Sequence, residues 1–446
     1  MPAAKAAAQK APKPSPATLK APKKLKAKGK TKKAAAAPVA YDGPPDYRVV
    51  GRHGMYAEVT HDEIARFNFL AQMNRHLSTR VMPGVKTAFD TRVEPAFKKA
   101  HKRPFKDRHE VRKALLDEPL FQWWSALRRA TMEQRQQAGR WVTLRQGDRL
   151  NARAAALLKG DKRLKLDPAL ALPRYVTAVD HHCMPGSYHT ELVAGDVTGP
   201  ANYDIGIFAT TGGMLGLYND GGGQAIATWL KETMPDLKPK RILDLGAGLG
   251  HNVLPIAQAY PNAEIVAVDV GAPMLRYGAA RAKALGVDNV AFVQGDVSDL
   301  KQFADESFDL IHSCMFLHET SMTAMPKIFQ ETHRLLAPGG VVLHVEQPQY
   351  AKDMPVFEQA MRDWDAFYNN EPFWTKMHEI DLDAVMEKAG FARDTLIHGG
   401  VAAVVDPKLF PEAAKDAKQE DYGRKAAWHV VGAKKPAKVA RKKEAA

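Results

Sequence analysis

One turn restricts this chain more than any other feature: RILDLGAGLG, residues 241–250, a short apolar run that ends in an acid and three glycines. Apolar runs of this length closed by glycine read as buried strands, and the HNVLPIAQAY that follows reads as a helix. The alternation then repeats. AEIVAVDV precedes APMLRYGAARAKALG, VAFVQGDV precedes a loop, SFDLIHSCMF precedes AMPKIFQETHRLLAPGG, and VVLHVEQP precedes MPVFEQAMRDWDAFY and DLDAVMEKAGF. DTLIHGGVAAVV and AWHVVGAKK close the series as strands. Strands separated by helices require crossover connections, so the pattern predicts an α/β fold: a Rossmann-like, mainly parallel, seven-stranded sheet covered on both faces.

In such a sheet a ligand lies beyond the C-terminal strand ends, where the glycine turn sits. Glycines let backbone approach the ligand, and the next helix offers unpaired N–H groups. A phosphate-cradling loop needs Lys followed by Ser or Thr after its last glycine, whereas His251-Asn252 follows here. A dinucleotide fingerprint would place its third glycine at position 251, which is His251. Asp244, entering the turn, disfavours a pyrophosphate and favours a ligand with a cationic amino group and no phosphate, as in S-adenosylmethionine (SAM). Asp269 ends the next strand, 19 residues after Gly250, in place to accept from both ribose hydroxyls. Asp296-Val297 ends the third strand, suited to the exocyclic amine and face of adenine.

These motifs, in order and in register, resemble those of the class I SAM-dependent methyltransferases, most closely the small-molecule branch that includes the quinone-biosynthesis C-methyltransferases. The resemblance spans about residues 223–433. It implies SAM as methyl donor and cofactor contacts from Asp244, Gly246, Ala247, Gly248, Gly250, Asp269, Val270, Asp296, Val297 and Cys314, the last either touching the cofactor or packing in the sheet. It also implies methyl transfer to the O, N or C of a small-molecule acceptor, aromatic or apolar. The alternatives are an RNA- or protein-directed enzyme recruited by basic segments, and a non-catalytic SAM-binding module. Ser313-Cys314-Met315-Phe316 stands where base-modifying relatives carry Asn/Asp-Pro-Pro-Tyr, and no Pro precedes Cys314.

Two clusters are candidates for the acceptor side. His318-Glu319 follows the fourth strand, His318 as a base or an orienting group. DHHCMPGSYHTE, residues 180–191, precedes the SAM fold as a lid, with Tyr188 and His189 in reach of the acceptor. His189 and Glu191 match no recognised zinc spacing, so no metal is expected. Phe357, Trp364, Phe367, Tyr368, Phe373 and Trp374 either wall a pocket or pack helices.

Residues 60–160 read as helices, with Ile64, Phe67, Leu70, Met73 or Asn74, Leu77 and Val81 on one face and Leu120, Trp123, Trp124, Leu127 and Met132 on another. AHKRPFKDRHEVRK reads as a solvated basic junction. Charge divides along the chain: residues 1–40 hold 11 Lys and no acid, residues 41–165 hold 26 Lys/Arg against 14 Asp/Glu, and residues 166–431 hold 21 against 35. The basic half either docks on the acidic half or faces an anionic partner. The expected organisation is a disordered Lys/Ala/Pro-rich tail (1–42), a basic helical accessory domain (43–165), a connector or lid (166–222), the SAM domain (223–433) and a basic tail (434–446). The tails suit a non-specific anionic polymer. Two cysteines and the absence of an apolar span or secretory leader point to a cytoplasmic protein, with oligomeric state left open.

Overall fold

The computed structural model describes residues 43–347, 349–402, 404–415 and 427–437. The tails read as disordered and polymer-binding, 1–42 and the end from 438, lie outside the described residues. Eight strands form one sheet: β1 (Leu164–Lys165), β2 (Arg241–Leu245), β3 (Glu264–Asp269), β4 (Val290–Gln294), β5 (Phe308–Cys314), β6 (Leu336–Glu346), β7 (Leu396–Ala402) and β8 (Ala427–Lys434). Their order is β1-β4-β3-β2-β5-β6-β8-β7, parallel throughout except that β8 runs antiparallel to both β6 and β7. The seven expected strands are present. The eighth, β1, is a two-residue edge strand beside β4, too short for any periodicity to announce it.

Order reverses at β2, whose neighbours are β3 on one side and β5 on the other, and this opens a crevice at their C-terminal ends. The central strands are buried on both faces, as their near-continuous Val/Ile/Leu runs require. The helix Gly221–Thr233 packs against the glycine turn so closely that a Cβ on Gly223 would lie 2.2 Å from the carbonyl oxygen of Asn252.

Helices fill most of 61–157, as their periodicity predicts. The first, His61–His76, starts in a capping box: Thr60 Oγ accepts from the Glu63 N–H, and Glu63 accepts from the Thr60 N–H. Ile64, Phe67, Leu70, Leu77 and Val81 are buried. In Pro119–Leu144 the buried face carries Phe121, Trp124 and Met132, while Trp123 is 51% exposed and is no core anchor. Adjacent residues on a helix point about 100° apart, so the core takes only one of the two tryptophans. The indole of Trp124 donates to the Leu77 carbonyl and meets Trp364 edge-on.

From Gly43 onward the described residues form one compact unit. Basic side chains of the helical half meet acids of the insertion after β6: Arg108 pairs with Asp363 and Glu379, and Arg128 with Asp365. Arg108 is therefore largely buried, and its junction is a docking contact where the sequence suggested a solvated helix. No helix among the described residues is long and apolar enough to cross a membrane.

The polar centre of this packing is Asp204, on the helix Thr198–Gly206. Its carboxylate is approached at 2.8 Å by His53 Nε2, at 2.8 Å by His251 Nε2 and at 2.7 Å by the Tyr277 hydroxyl. The Met55 N–H donates to His53 Nδ1, so Nε2 is the nitrogen that carries hydrogen toward Asp204. Burial opposes the charge on Asp204, but His53 and His251 outweigh it and hold the carboxyl well below its usual range. Asp204→Asn places an amide N–H₂ among three donors, and unfolding in urea is expected to show a loss of about 3 kcal/mol. A variant as stable as the parent would show that this network does not hold the two halves together.

Candidate active site

The turn after β2 is built for close approach. Gly246, Gly248 and Gly250 all have positive φ (70°, 51° and 82°), which L side chains adopt only at a cost. A Cβ on Gly248 would meet nothing within 4 Å, so this residue faces open space. Its N–H donates to Asp269 Oδ2 at 2.9 Å, and the Gly271 N–H donates to Oδ1 at 2.8 Å. Each oxygen of Asp269 thus keeps a lone pair for a further donor. Burial raises the Asp269 carboxyl despite those two N–H groups.

Asp244 is buried at the end of β2, and its carboxyl is pushed well above the usual range by burial and by Asp269. Its nearest basic partner is His312 on β5, with Nδ1 3.1 Å from Oδ1. Burial drives that imidazole down to about 3, so the pair carries no compensating positive charge. Two raised carboxyls beside a glycine turn and a neutral histidine make a site where a cationic ligand would favour the ionised form of both acids.

Asp296 accepts from the Ser298 N–H at 2.8 Å, and Val297 is buried beside it. Val270 is half-buried next to Asp269. Tyr175, which the sequence reading did not single out, approaches both acids: burial, Asp296 and Asp269 together push its phenol up. It lines a cleft of roughly 520 Å³ with Val179, Ser298, Ser321, Lys327 and Phe373. Ala247 is buried within the turn and Cys314 at the end of β5. Cys314 Sγ would lie 3.5 Å from a Cβ on Gly222, which makes it a packing residue of the sheet, and burial pushes its thiol up.

On the other side of the crevice the two candidate clusters meet. The Tyr188 hydroxyl donates to Glu319 Oε1 at 2.9 Å, and His182 Nε2 lies 3.0 Å from the same oxygen. His182 Nδ1 lies 2.5 Å from Glu371 Oε1, and His181 Nε2 lies 3.6 Å from Glu319 Oε2. Residues 180–191 also reach the strand end at Asp269, because a Cβ on Gly271 would lie 2.6 Å from the Tyr188 carbonyl oxygen. His182 and Cys183 both have positive φ (52° and 57°), a strain of about 1–2 kcal/mol each. Burial works against charge on Glu319, but His182, His181 and His318 outweigh it and hold its carboxyl down to about 2.

His318 takes a role that the sequence left open. Its Nδ1 lies 2.6 Å from Glu346 Oε1, on the last residue of β6. Burial opposes the imidazolium, yet Glu346 lifts it to about 9. A ring raised that far carries positive charge near neutral pH, against Glu346. Glu346 also accepts from the Leu317 and Gln347 N–H groups, which fixes the turn that carries Glu319. His189 is half-buried and makes no ion pair with this cluster among the described residues; Glu191 is taken by Arg276 at 2.6 Å. The insertion after β6 divides: Phe357 and Trp364 pack against the helical half, whereas Trp374 meets His318 edge-on and Phe373 meets Tyr175.

Comparison with known proteins agrees with this geometry. The family described as methyltransferase domain matches residues 236–416. An uncharacterized methyltransferase of Synechocystis sp. is 28% identical over 44% of this chain and 87% of its own length. A demethylmenaquinone methyltransferase of Thermus thermophilus is 36% identical over 25% of this chain and 48% of its own. A ubiquinone/menaquinone biosynthesis C-methyltransferase of Dinoroseobacter shibae is 31% identical over 35% and 60%. The Synechocystis protein apart, this chain spans about half the length of the curated relatives it matches.

Burial also sets a chemical expectation. Cys314 should resist thiol reagents in the native protein and label only on unfolding, read by mass-spectrometric mapping. Rapid native labelling would mean that the floor of the crevice is open to solvent.

Proposed function

We propose that the protein transfers the methyl group of SAM to a small-molecule acceptor. The observation that carries this reading is the pair Asp244, buried, and Asp269, half-buried, two carboxyls flanking an open glycine turn with no Lys or Arg paired to either among the described residues. An ammonium-bearing nucleoside without phosphate is the ligand whose charge and hydrogen-bond donors fit that pair. Asp269 has lone pairs left for two ribose hydroxyls, Asp296 and Val297 border the adenine end, and the Gly248 backbone leaves room.

Bound SAM supplies an electrophilic methyl on a sulfonium centre. The chain supplies alignment and a dry site, the main contributions that an in-line displacement requires. Tyr188 and Glu319 face the acceptor, with His318 and Glu346 positioning the turn on which Glu319 stands. Where the acceptor is a hydroxyl or carbon acid, Glu319, held ionised by His182, His181 and His318, takes the departing proton. The lid (180–191) and the insertion after β6 close over this side, which favours a small acceptor over a polymer. The quinone-pathway names among the relatives agree with an aromatic or apolar acceptor, as do Trp374 and Phe373 at the rim. We place this activity in the cytoplasm.

Calorimetry with SAM and with its demethylated product should show binding to the full chain and none with NADH or ATP. Asp269→Ala removes the acceptor of two hydroxyls and should weaken SAM by roughly 100-fold, or about 3 kcal/mol. Glu319→Gln should leave SAM affinity intact and lower the turnover of methyl-labelled SAM with cell extract by roughly 10²–10⁴-fold. Binding of NADH in place of SAM would overturn the reading, as would an unchanged rate in Glu319→Gln.

A further inference from the structure

We propose that His182, Glu319 and Glu371 bind a divalent transition-metal ion, with His181 completing the set. Each of the first three offers a ligand atom, and these atoms lie within 4.8 Å of one another. Metal–ligand bonds of about 2.0–2.2 Å place neighbouring ligand atoms roughly 3–3.5 Å apart around one ion. His182 Nε2 to Glu319 Oε1 at 3.0 Å and His181 Nε2 to Glu319 Oε2 at 3.6 Å match that spacing.

The hydrogen-bond accounting points the same way. Glu371 is 1% exposed; its Oε1 faces His182 Nδ1 at 2.5 Å, and its Oε2 has no hydrogen-bond partner. Glu319 Oε2 and His181 Nε2 are likewise buried without a hydrogen-bond partner. Native proteins seldom leave buried polar atoms without a hydrogen bond, and here two carboxylate oxygens of one cluster, Glu371 Oε2 and Glu319 Oε2, are in that state. His181, also 1% exposed, has its other nitrogen 3.1 Å from Ser187 Oγ. Metal-binding imidazoles are commonly held in this way, by a hydrogen bond at the nitrogen away from the ion.

Two imidazoles and two carboxylates suit zinc, iron(II), manganese(II) or cobalt(II); magnesium and calcium prefer sites made of oxygen alone. The ligands come from three distant segments, the turns His181–Cys183 and Leu317–Glu319 and the insertion that carries Glu371, so no sequence spacing reveals them. An ion there adjoins Tyr188 and the acceptor side, where it would bind an acceptor oxygen and lower its pKa. That role rests on the methyl-transfer reading, whereas binding of the ion does not.

The test is a titration of the full chain, purified without a histidine tag and without SAM, with cobalt(II), read by visible ligand-field absorption. One equivalent should bind, and His182→Asn and Glu371→Gln should each weaken it roughly 10- to 100-fold or more. Circular dichroism checks that each variant is folded, and having two variants keeps the test decisive if one is not. Absence of cobalt uptake by the parent chain overturns the proposal, as does uptake that neither substitution alters. If methylammonium quenches tryptophan fluorescence in a parent chain that ignores cobalt, the cluster is a pocket for a cationic acceptor and the metal reading fails. SAM calorimetry is unaffected by any of these results, so failure here stays separate from failure of the methyl-transfer reading.

Discussion

A single buried carboxylate carries an unusual share of this architecture. Asp204 receives His53 from the N-terminal strap, Tyr277 from the helix after β3 and His251 from the glycine turn. An isolated buried charge would cost far more than a domain can spare, so the three donors are obligatory. Their convergence means that the helical half cannot leave the sheet without orphaning a residue of the cofactor turn. His251 therefore has two consequences. It occupies the position where a dinucleotide-binding turn needs glycine, and its side chain fastens the turn to the helix Thr198–Gly206. Exclusion of a pyrophosphate and attachment of the accessory helices follow from one residue.

The acceptor side obeys a different logic, because nothing local builds it. A strained turn at His182 and Cys183 aims an imidazole at a glutamate 137 residues away, and the insertion after β6 supplies a second glutamate from the opposite direction. Strain at two consecutive residues persists only where surrounding contacts over-determine it. Those contacts are visible: Gln136 Nε2 donates to the His182 carbonyl, and Cys183 is buried against the helical half. The helices of 43–165 thus back residues 182–183 by direct contact.

What the sequence disclosed tracks how local each signal is. The strands and the cofactor turn were legible because a buried parallel strand is a continuous apolar run, and because positive φ at three sites restricts those sites to glycine. Asp269 was legible as the end of its strand, whereas β4 ends at Gln294, two residues before Asp296. Tyr188 and Glu319 were named separately, yet nothing in the sequence could pair them across 131 positions. Glu346 and Glu371 were invisible for the same reason: a glutamate ending a strand, or one inside an insertion, looks like any solvated acid until its partners are known. His318 was named, but the Glu346 partner on the neighbouring strand that raises its pKa was visible only in the fold. Trp123 went wrong through its neighbour, since a Trp-Trp pair on a helix cannot direct both rings to one core.

Charge asymmetry resolves in the same terms. The excess of bases over 41–165 and of acids over 166–431 reads, in sequence, equally as a nucleic-acid surface or as two halves that attract each other. Arg108 held by Asp363 and Glu379, Arg128 by Asp365, and Arg163 by Asp161 and Asp288 spend that asymmetry inside the molecule. A guanidinium that already grips two carboxylates and is mostly shielded from solvent has little field left for a phosphate backbone. The folded part therefore offers weak grounds for polymer binding.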